Sequence, residues 1–253
     1  MTALPNWLRT WLVDSASAAV LLTRVPMPQV APDFARALRA APLVGAGIGL
    51  LAAAVFALAR DWGAAPLLAA ALAVLSGAIL TGALHEDGLA DVADAFGLYR
   101  DRERTLEILR DSRLGTYGVV ALIASFLLRV AALAAIADPA LATGALVAAH
   151  AASRAGFALA ISRLPPARPG GLAATVGRPA ESTAWTSLAL GAGFLWLGLG
   201  LGTALLTGAA IALAGIGLMR LARRRIGGHT GDVLGAQQQI GEVMILVLAA
   251  MSL

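Results

Sequence analysis

The segment HEDGLADVADAFGLYRDRERTLEILRDSR, residues 85–113, lies between apolar stretches that are long enough to cross a bilayer. It carries eight of the chain's fifteen acidic side chains. Clustered carboxylates repel one another unless a cation neutralises them, and a divalent cation can also hold phosphate oxygens. The segment therefore predicts a metal-dependent reaction on a phosphorylated substrate at a membrane surface.

The composition is that of an integral membrane protein. Of the 253 residues 59% are hydrophobic and only 13% are charged, and the mean hydropathy is +0.80. The chain has no cysteine, which excludes disulfides and thiolate chemistry. All nineteen basic residues are arginines, and their spacing indicates membrane topology rather than nucleic-acid binding. Because Asp14 interrupts the N-terminal apolar stretch, residues 6–22 are predicted to form an interfacial helix, not a removable signal peptide.

Seven apolar runs approach the ~20 residues that a membrane-spanning helix needs. They are 43–59, 64–84, 115–137, 140–161, 185–201, 203–219 and 233–253. The polar segments between them that share one side of the membrane hold fifteen of the nineteen arginines: 23–41, 85–114, 162–184 and 220–232. The positive-inside rule places these four segments in the cytoplasm, where they could build one site.

We therefore expect an all-α, polytopic membrane helical bundle. It would be a single domain over residues 1–253, with about seven transmembrane helices and an N-terminal interfacial helix. The stretch 185–219 could be one long tilted helix, but two helices fit its length better. We expect the bundle in the cell (inner) membrane, with its active site facing the cytoplasm.

Three aspartates in the acidic segment have the spacing of a metal site. Asp87, Asp91 and Asp94 stand at i, i+4 and i+7, which places their carboxylates on one stripe of a helix. A bound Mg²⁺ or Mn²⁺ would relieve their repulsion, because hard cations prefer oxygen ligands. Asp111 is a further candidate just before an apolar run. The alternative is a solvated acidic face that pairs with neighbouring arginines, namely Arg100, Arg102, Arg104, Arg110 and Arg113.

A second candidate site is RRRIGGHTGD, residues 223–232, which leads into an apolar helix. Glycines let the backbone approach a phosphate, and the N-terminus of the following helix offers free N–H groups to an anion. Asp232 could cap this helix or bind the metal. The alternative is a basic juxtamembrane anchor followed by an ordinary capped turn.

Ionisable residues inside the predicted spans are further candidates, because such groups normally face a cavity or a partner. They are Arg129, His150, Arg154 and Glu242. Arg154 lies one turn beyond His150, so both could meet a phosphate or Glu242. Gln237–Gln239 make the last span polar at its start, which fits either a substrate-lining helix or interhelical hydrogen bonds. The loop 162–184 could bind an anion through Arg163, Arg168 and Arg178, or be a flexible connector.

Three stretches together resemble the cobalamin synthase family, the adenosylcobinamide-GDP ribazoletransferases of the coenzyme B12 pathway. They are HEDGLADVADAFG (85–97), LRDSRLGTYGVVAL (109–122) and GGHTGDVLGA (227–236), in the family's order. The resemblance implies that α-ribazole, or its 5′-phosphate, is joined to adenosylcobinamide-GDP with release of GMP and a requirement for Mg²⁺. The expected partners are these two substrates and membrane lipid; a homo-oligomer is possible, and no nucleic-acid partner is expected.

The resemblance also suggests roles for the candidate residues. Asp87, Asp91 and Asp94 would hold the metal, with Asp111 and Asp232 as second choices. His85 or one carboxylate would accept the proton of the attacking hydroxyl. Glu86 is not expected to be a metal ligand, because it lies on a different helix face. The phosphate-binding groups would be Arg113, Arg154, Gly227, Gly228 and Thr230.

Two other functions are compatible with part of the pattern. CDP-alcohol phosphotransferases also use helically spaced aspartates, but they carry an Ala-Arg dipeptide where this chain has Val92-Ala93-Asp94-Ala95. A cation or proton transporter could use the ionisable residues inside the spans. The clustering of acids at one membrane face favours surface chemistry over transport.

Overall fold

The computed structural model describes residues 4–27, 33–98, 101–111, 113–171 and 175–252. Within them the regular secondary structure is α-helical, apart from one short 3-10 helix and one isolated β-bridge. The helices are α1 (Asn6–Leu22), α2 (Phe34–Ala37), α3 (Ala41–Asp61), α4 (Pro66–Thr81), α5 (Leu84–Phe96), α6 (Arg102–Ile108), α7 (Thr116–Ile136), α8 (Pro139–Arg154), α9 (Phe157–Arg163), α10 (Glu181–Ile226) and α11 (Gly231–Ser252).

Five helical segments of the described chain are long and apolar enough to cross a membrane. They are Phe34–Asp61, Thr116–Ile136, Pro139–Arg163, Glu181–Ile226 and Gly231–Ser252. The pair α4 and α5 passes the same test only together, and its two helices are bent by 90°. The predicted all-α polytopic bundle is thereby confirmed.

The longest helix, α10, turns back on itself at Gly200. This glycine has φ 76° and ψ 164°, a non-helical conformation that residues with a side chain rarely adopt. A Cβ built on Gly208 would lie 3.8 Å from Cδ1 of Leu195. Residues thirteen apart in a continuous helix would be about 20 Å apart. The stretch 185–219 therefore forms two helices, as the sequence favoured.

Small residues bring the helices close together. A Cβ on Gly49 would lie 2.6 Å from the carbonyl oxygen of Leu146, and Gly45 is equally tight against His150. Gly198 similarly meets the backbone of Gly144. Close approach of this kind is how membrane helices pack in the absence of a hydrophobic driving force. It fixes α8, with its ionisable residues, against α3.

Helix α4 covers most of the predicted span 64–84, and α5 follows it after a sharp bend. Helix α4 ends at Thr81, and both Gly82 (φ 64°) and Ala83 (φ 56°) have left-handed backbone conformations. The resulting 90° bend turns α5 across the end of the bundle, where it packs on α7 and α11. The acidic segment therefore begins on a separate helix that lies at a sharp angle to α4.

Candidate active site

A cleft of about 190 Å³ opens where α5, α9 and the N-terminus of α11 meet. We refer to it below as the cleft. Its polar lining residues are His85, Asp87, Arg168, His229, Thr230 and Asp232. Four of the predicted site residues thus line it, namely His85, Asp87, Thr230 and Asp232, although they come from segments far apart in sequence.

Two loops are joined beside the cleft. The backbone N–H of His229 donates to the carbonyl of Pro165 (2.9 Å), and the N–H of Ala167 donates to the carbonyl of His229 (2.9 Å). Gly228 permits this pairing, because a Cβ there would collide with the Pro165 carbonyl. Arg102 donates to the carbonyls of Ile226 (3.0 Å) and Ala167 (2.8 Å) and so ties both loops to α6.

The two glycines that were predicted to bind phosphate, Gly227 and Gly228, shape the backbone and do not line the cleft. Gly227 ends α10 with φ 79°, as a left-handed helix cap does. Neither Gly227 nor Gly228 lines the cleft, whereas Thr230 does. The Thr230 hydroxyl accepts from the N–H of Val233 at 3.3 Å and caps α11.

Four carboxylates of α5 and the N-terminus of α11 lie close enough to affect one another. Burial raises the pKa of Asp91 to about 7, and the charges of Asp87, Asp232 and Asp94 add to this increase, while Arg168 opposes it. Arg168 lies 3.9 Å from Asp232. Asp232, at the N-terminus of α11, therefore lies near the predicted stripe of aspartates on α5.

Asp94 is engaged differently from the other two aspartates of the stripe. Its Oδ2 accepts from the N–H of Gly115 (2.7 Å) and its Oδ1 from the N–H of Gly118 (2.9 Å). The carboxylate thus binds the N-terminus of α7, where negative charge is favourable. A metal role for Asp94 stays a prediction, and both of its oxygens already have partners.

The structure does not bring Asp111 and Arg113 to the cleft. Arg113 is 85% exposed and its Nη2 lies 2.6 Å from Oδ2 of Asp111. The hydrogen bonds from Arg113 lower the pKa of Asp111 to about 2. Arg104 pairs likewise with Glu107 at 2.7 Å. The proposed pairing of acids with arginines therefore occurs here, away from Asp87 and Asp91; Arg100 lies outside the described residues.

Five ionisable side chains inside the bundle form what we call the buried ion network. Arg129 Nη1 lies 2.9 Å from Glu242 and 3.2 Å from Glu86. His150 Nδ1 lies 3.2 Å from Glu242, and Arg154 donates to the His150 carbonyl at 2.8 Å. Arg129 and Arg154 are each 1% exposed. Arg154 thus meets Glu242, as one predicted alternative has it, and does not line the cleft.

The glutamines of α11 extend this network. Gln239 donates to Glu86 at 3.1 Å and accepts from the Ser125 hydroxyl at 2.9 Å. Gln238 donates to Glu242 and to the Ser153 hydroxyl. The polar start of the last span therefore makes interhelical hydrogen bonds at these two positions, whereas Gln237 lines a separate apolar cavity.

Several buried polar atoms in the cleft have no hydrogen-bond partner within the described chain. They are His85 Nε2, Arg168 Nη1, His229 Nδ1 and Asp232 Oδ2. Leaving such an atom unpaired costs free energy, so a group of them in residues around one cavity favours a site whose polar atoms gain partners when a ligand binds. The sequence pattern gave His229 no role of its own within the motif 223–232. Arg168 belongs to the loop 162–184, which could either bind an anion or be a flexible connector.

The chain was compared with known proteins. A family model described as cobalamin-5-phosphate synthase matches residues 14–250. An adenosylcobinamide-GDP ribazoletransferase of Bradyrhizobium diazoefficiens is 50% identical over 96% of this chain and 95% of its own length. The enzyme of the same name from Rhizobium meliloti is 46% identical over 95% of this chain and 97% of its own length. That from Sinorhizobium medicae is 46% identical over 97% of this chain and 99% of its own length. No solved structure matches it. This chain belongs to the cobalamin-5-phosphate synthase family.

Proposed function

We propose that the protein is an adenosylcobinamide-GDP ribazoletransferase. It would join adenosylcobinamide-GDP to α-ribazole, or to its 5′-phosphate, and release GMP. The relatives that carry this name support the activity through their identity over nearly the whole chain. The observation that carries the proposal is the cleft, because it places anion-binding groups beside clustered carboxylates.

Two features of the cleft suit a diphosphate. The N-terminus of α11 presents backbone N–H groups at Gly231 and Asp232, and a helix N-terminus favours negative charge. Arg168 adds a guanidinium nitrogen that has no partner in the described chain. Together they would hold the diphosphate of adenosylcobinamide-GDP.

The carboxylates provide the donor type that Mg²⁺ requires. Asp91 is held partly protonated near neutral pH, and Oδ2 of Asp232 is buried without a hydrogen bond. Within the described residues no three His, Asp or Glu side chains are already gathered into a metal site. Asp87, Asp91 and Asp232 would gather only around a bound cation, whose remaining ligands would be water and phosphate oxygens. When bound, Mg²⁺ would neutralise negative charge that develops on the leaving group.

The transfer itself needs positioning more than covalent catalysis. The 3′-hydroxyl of the ribazole would attack the phosphorus joined to the corrinoid arm, and the bond from this phosphorus to GMP would break. His85 or one of the carboxylates would accept the hydroxyl proton. Arg168 would keep the diphosphate fixed while the new phosphodiester forms.

The site would lie on the cytoplasmic side of the cell's inner membrane. The four polar segments that hold most of the arginines include the cleft residues of α5, the 162–184 loop and the turn before α11. The positive-inside rule supports this orientation. Soluble substrates would then reach the cleft directly.

Incubation of the purified full-length protein with Mg²⁺, adenosylcobinamide-GDP and α-ribazole tests the proposal. We expect GMP and a complete corrinoid in equal amounts. The Arg168→Gln variant should need more adenosylcobinamide-GDP to reach half its maximal rate, whereas Arg163→Gln, an exposed arginine in the same loop that pairs with Glu181 at 3.5 Å, should not. Absence of both products from folded wild-type protein would refute the function.

A further inference from the structure

A second cavity lies between the two arms of α10, residues 181–199 and 201–226, which meet at the Gly200 turn. We refer to it as the hairpin cavity. Its volume is about 340 Å³, and α8, α9 and α11 complete its lining. No residue lines both this cavity and the cleft. Ligand pockets in proteins measure about 300–1,000 Å³, so the hairpin cavity is large enough for a ligand of its own.

The hairpin cavity exists because the two arms of α10 pack on different helices. The first arm packs at the end of α8, where a Cβ added to Gly191 would collide with Ala155. The second arm packs on α11, where a Cβ added to Gly215 would lie 3.7 Å from Nε2 of Gln237. Since each arm rests on a different neighbour, an unfilled space remains between them.

The hairpin cavity opens at the surface of the bundle. Ala192 of the first arm and Ala212 and Ile216 of the second arm line the cavity and are also exposed. Large apolar side chains on both arms point outwards, such as Leu197 (78% exposed) and Leu205 (66% exposed). Because α10 is long and apolar enough to cross a membrane, this surface faces lipid. An acyl chain would therefore enter the cavity sideways from the bilayer, without passing through water.

The lining of the hairpin cavity includes a polar group that has no partner. Oε1 of Gln237 is buried and accepts no hydrogen bond within the described chain. A pure hydrocarbon in the cavity would leave this oxygen unpaired at a cost in free energy, whereas a ligand with a hydroxyl group would satisfy it. Gln237 lies six residues after Gly231, the first residue of α11, or about 9 Å along the helix. The polar group therefore lies towards the end of the bundle that carries the basic turn 223–232.

Arginines continue the lining of the hairpin cavity at this end. Ile216, Met219 and Arg223 stand at i, i+3 and i+7, which places Arg223 on the face of α10 that lines the cavity, one turn beyond Met219. The side chains of Arg223 and the neighbouring Arg220 are exposed and make no ion pair within the described chain. Basic groups beside a membrane attract anionic lipid headgroups. A phosphate at this end of the cavity would therefore gain a guanidinium partner.

We propose that the hairpin cavity binds one anionic phospholipid with a hydroxylated headgroup. One acyl chain would fill the space between the arms, the phosphate would pair with Arg223, and a headgroup hydroxyl would donate to Oε1 of Gln237. Phosphatidylglycerol has all three parts. Phosphatidylcholine has the chains, but it has neither a net negative charge nor a hydrogen-bond donor. This site is separate from the cleft, so the inference does not depend on the proposed function.

Lipid titration of the purified full-length protein is the first test. The protein is delipidated in detergent, and native mass spectrometry then follows the binding of phosphatidylglycerol and of phosphatidylcholine with the same acyl chains. We expect one phosphatidylglycerol to bind about tenfold more tightly than any phosphatidylcholine, because it alone gains the guanidinium and the amide contacts. Equal affinity for the two lipids would overturn the inference, as would phosphatidylglycerol binding with no distinct first site.

A matched pair of variants on α10 tests the position of the acyl chain. Ala212→Phe places a ring in the hairpin cavity and should weaken the first phosphatidylglycerol by about tenfold or more. Leu213→Phe adds a ring at the next residue, which is 71% exposed and does not line the cavity, and should leave the affinity unchanged. Wild-type affinity in Ala212→Phe would show that the chain lies elsewhere and would refute the site.

A second pair of variants tests the headgroup, and both changes are at exposed positions where folding is not at risk. Arg223→Gln should remove most of the preference for phosphatidylglycerol over phosphatidylcholine. Arg224→Gln removes the same charge from a different face of α10 and should keep the preference. Equal loss in both variants would indicate only a diffuse attraction between basic residues and anionic lipid, and would overturn the inference. An unchanged preference in Arg223→Gln would overturn it as well. All of these readouts are binding measurements, so they are independent of whether the protein transfers ribazole.

Discussion

At the scale of single residues, the three aspartates of the α5 stripe have different surroundings. Asp87 and Asp232 line the cleft, and Asp91 lies close enough to be affected by both charges. Asp94 has a different environment, because its carboxylate accepts hydrogen bonds from two backbone N–H groups at the start of α7. Helical spacing alone therefore identifies a shared stripe, but the neighbouring helices decide what each carboxylate binds.

The raised pKa of Asp91 predicts how Mg²⁺ binding depends on pH. Because the carboxyl group takes up a proton as the pH falls through about 7, a metal must compete with that proton. Titration calorimetry without substrate should therefore find Mg²⁺ affinity roughly tenfold weaker at pH 6 than at pH 8. An affinity that stays constant over this range would show that Asp91 does not take part in binding. The Asp91→Asn variant should lose the pH dependence.

At the scale of helices, an ion pair with a buried arginine of the bundle holds α5 in place. Its Glu86 reaches into the bundle and pairs with Arg129 of α7, which also pairs with Glu242 of α11. Glu86 directly precedes Asp87, so the buried ion network sets the rotation and height of the helix that carries the acids. A buried charge cluster of this kind is strongly destabilised when one partner is removed.

Arg129→Met should therefore destabilise the fold, because it leaves two buried carboxylates without their shared partner. We expect the free energy of unfolding to fall by about 3–5 kcal/mol. Unfolding in detergent can be followed through the fluorescence of the five tryptophans. Arg104→Met is the matched control, because its exposed pair with Glu107 should contribute less than about 1 kcal/mol. Equal loss in both variants would contradict a structural role for the network.

At the scale of the whole molecule, hydropathy predicts the helical bundle well. Length and apolarity identify spanning helices, because a segment that crosses the hydrocarbon core of the bilayer must make all of its backbone hydrogen bonds internally. The 90° bend between α4 and α5 was not predictable, because it depends on a left-handed backbone conformation at Ala83, which alanine rarely adopts. Nor was the position of Arg168, which follows from long-range pairing between Pro165 and His229.

The membrane orientation gives a prediction at the same scale. A reporter that folds only in the cytoplasm is fused after Ala180 in one version and after the last residue in another. Because an odd number of spans separates these points, we expect signal from the first fusion and none from the second. Signal from the C-terminal fusion alone would reverse the orientation and place the cleft outside the cytoplasm.

The central claim is that carboxylates at the cleft serve ribazole transfer. The most direct measurement is GMP release by Asp91→Asn in membranes that contain normal amounts of the protein, beside Glu107→Gln, an exposed acid paired with Arg104. Removing a carboxylate that would hold the cation beside the reacting phosphates should lower turnover by about a hundredfold or more, because such electrostatic groups supply much of catalysis. The control should keep full activity. Turnover near the wild-type level in Asp91→Asn would contradict the account.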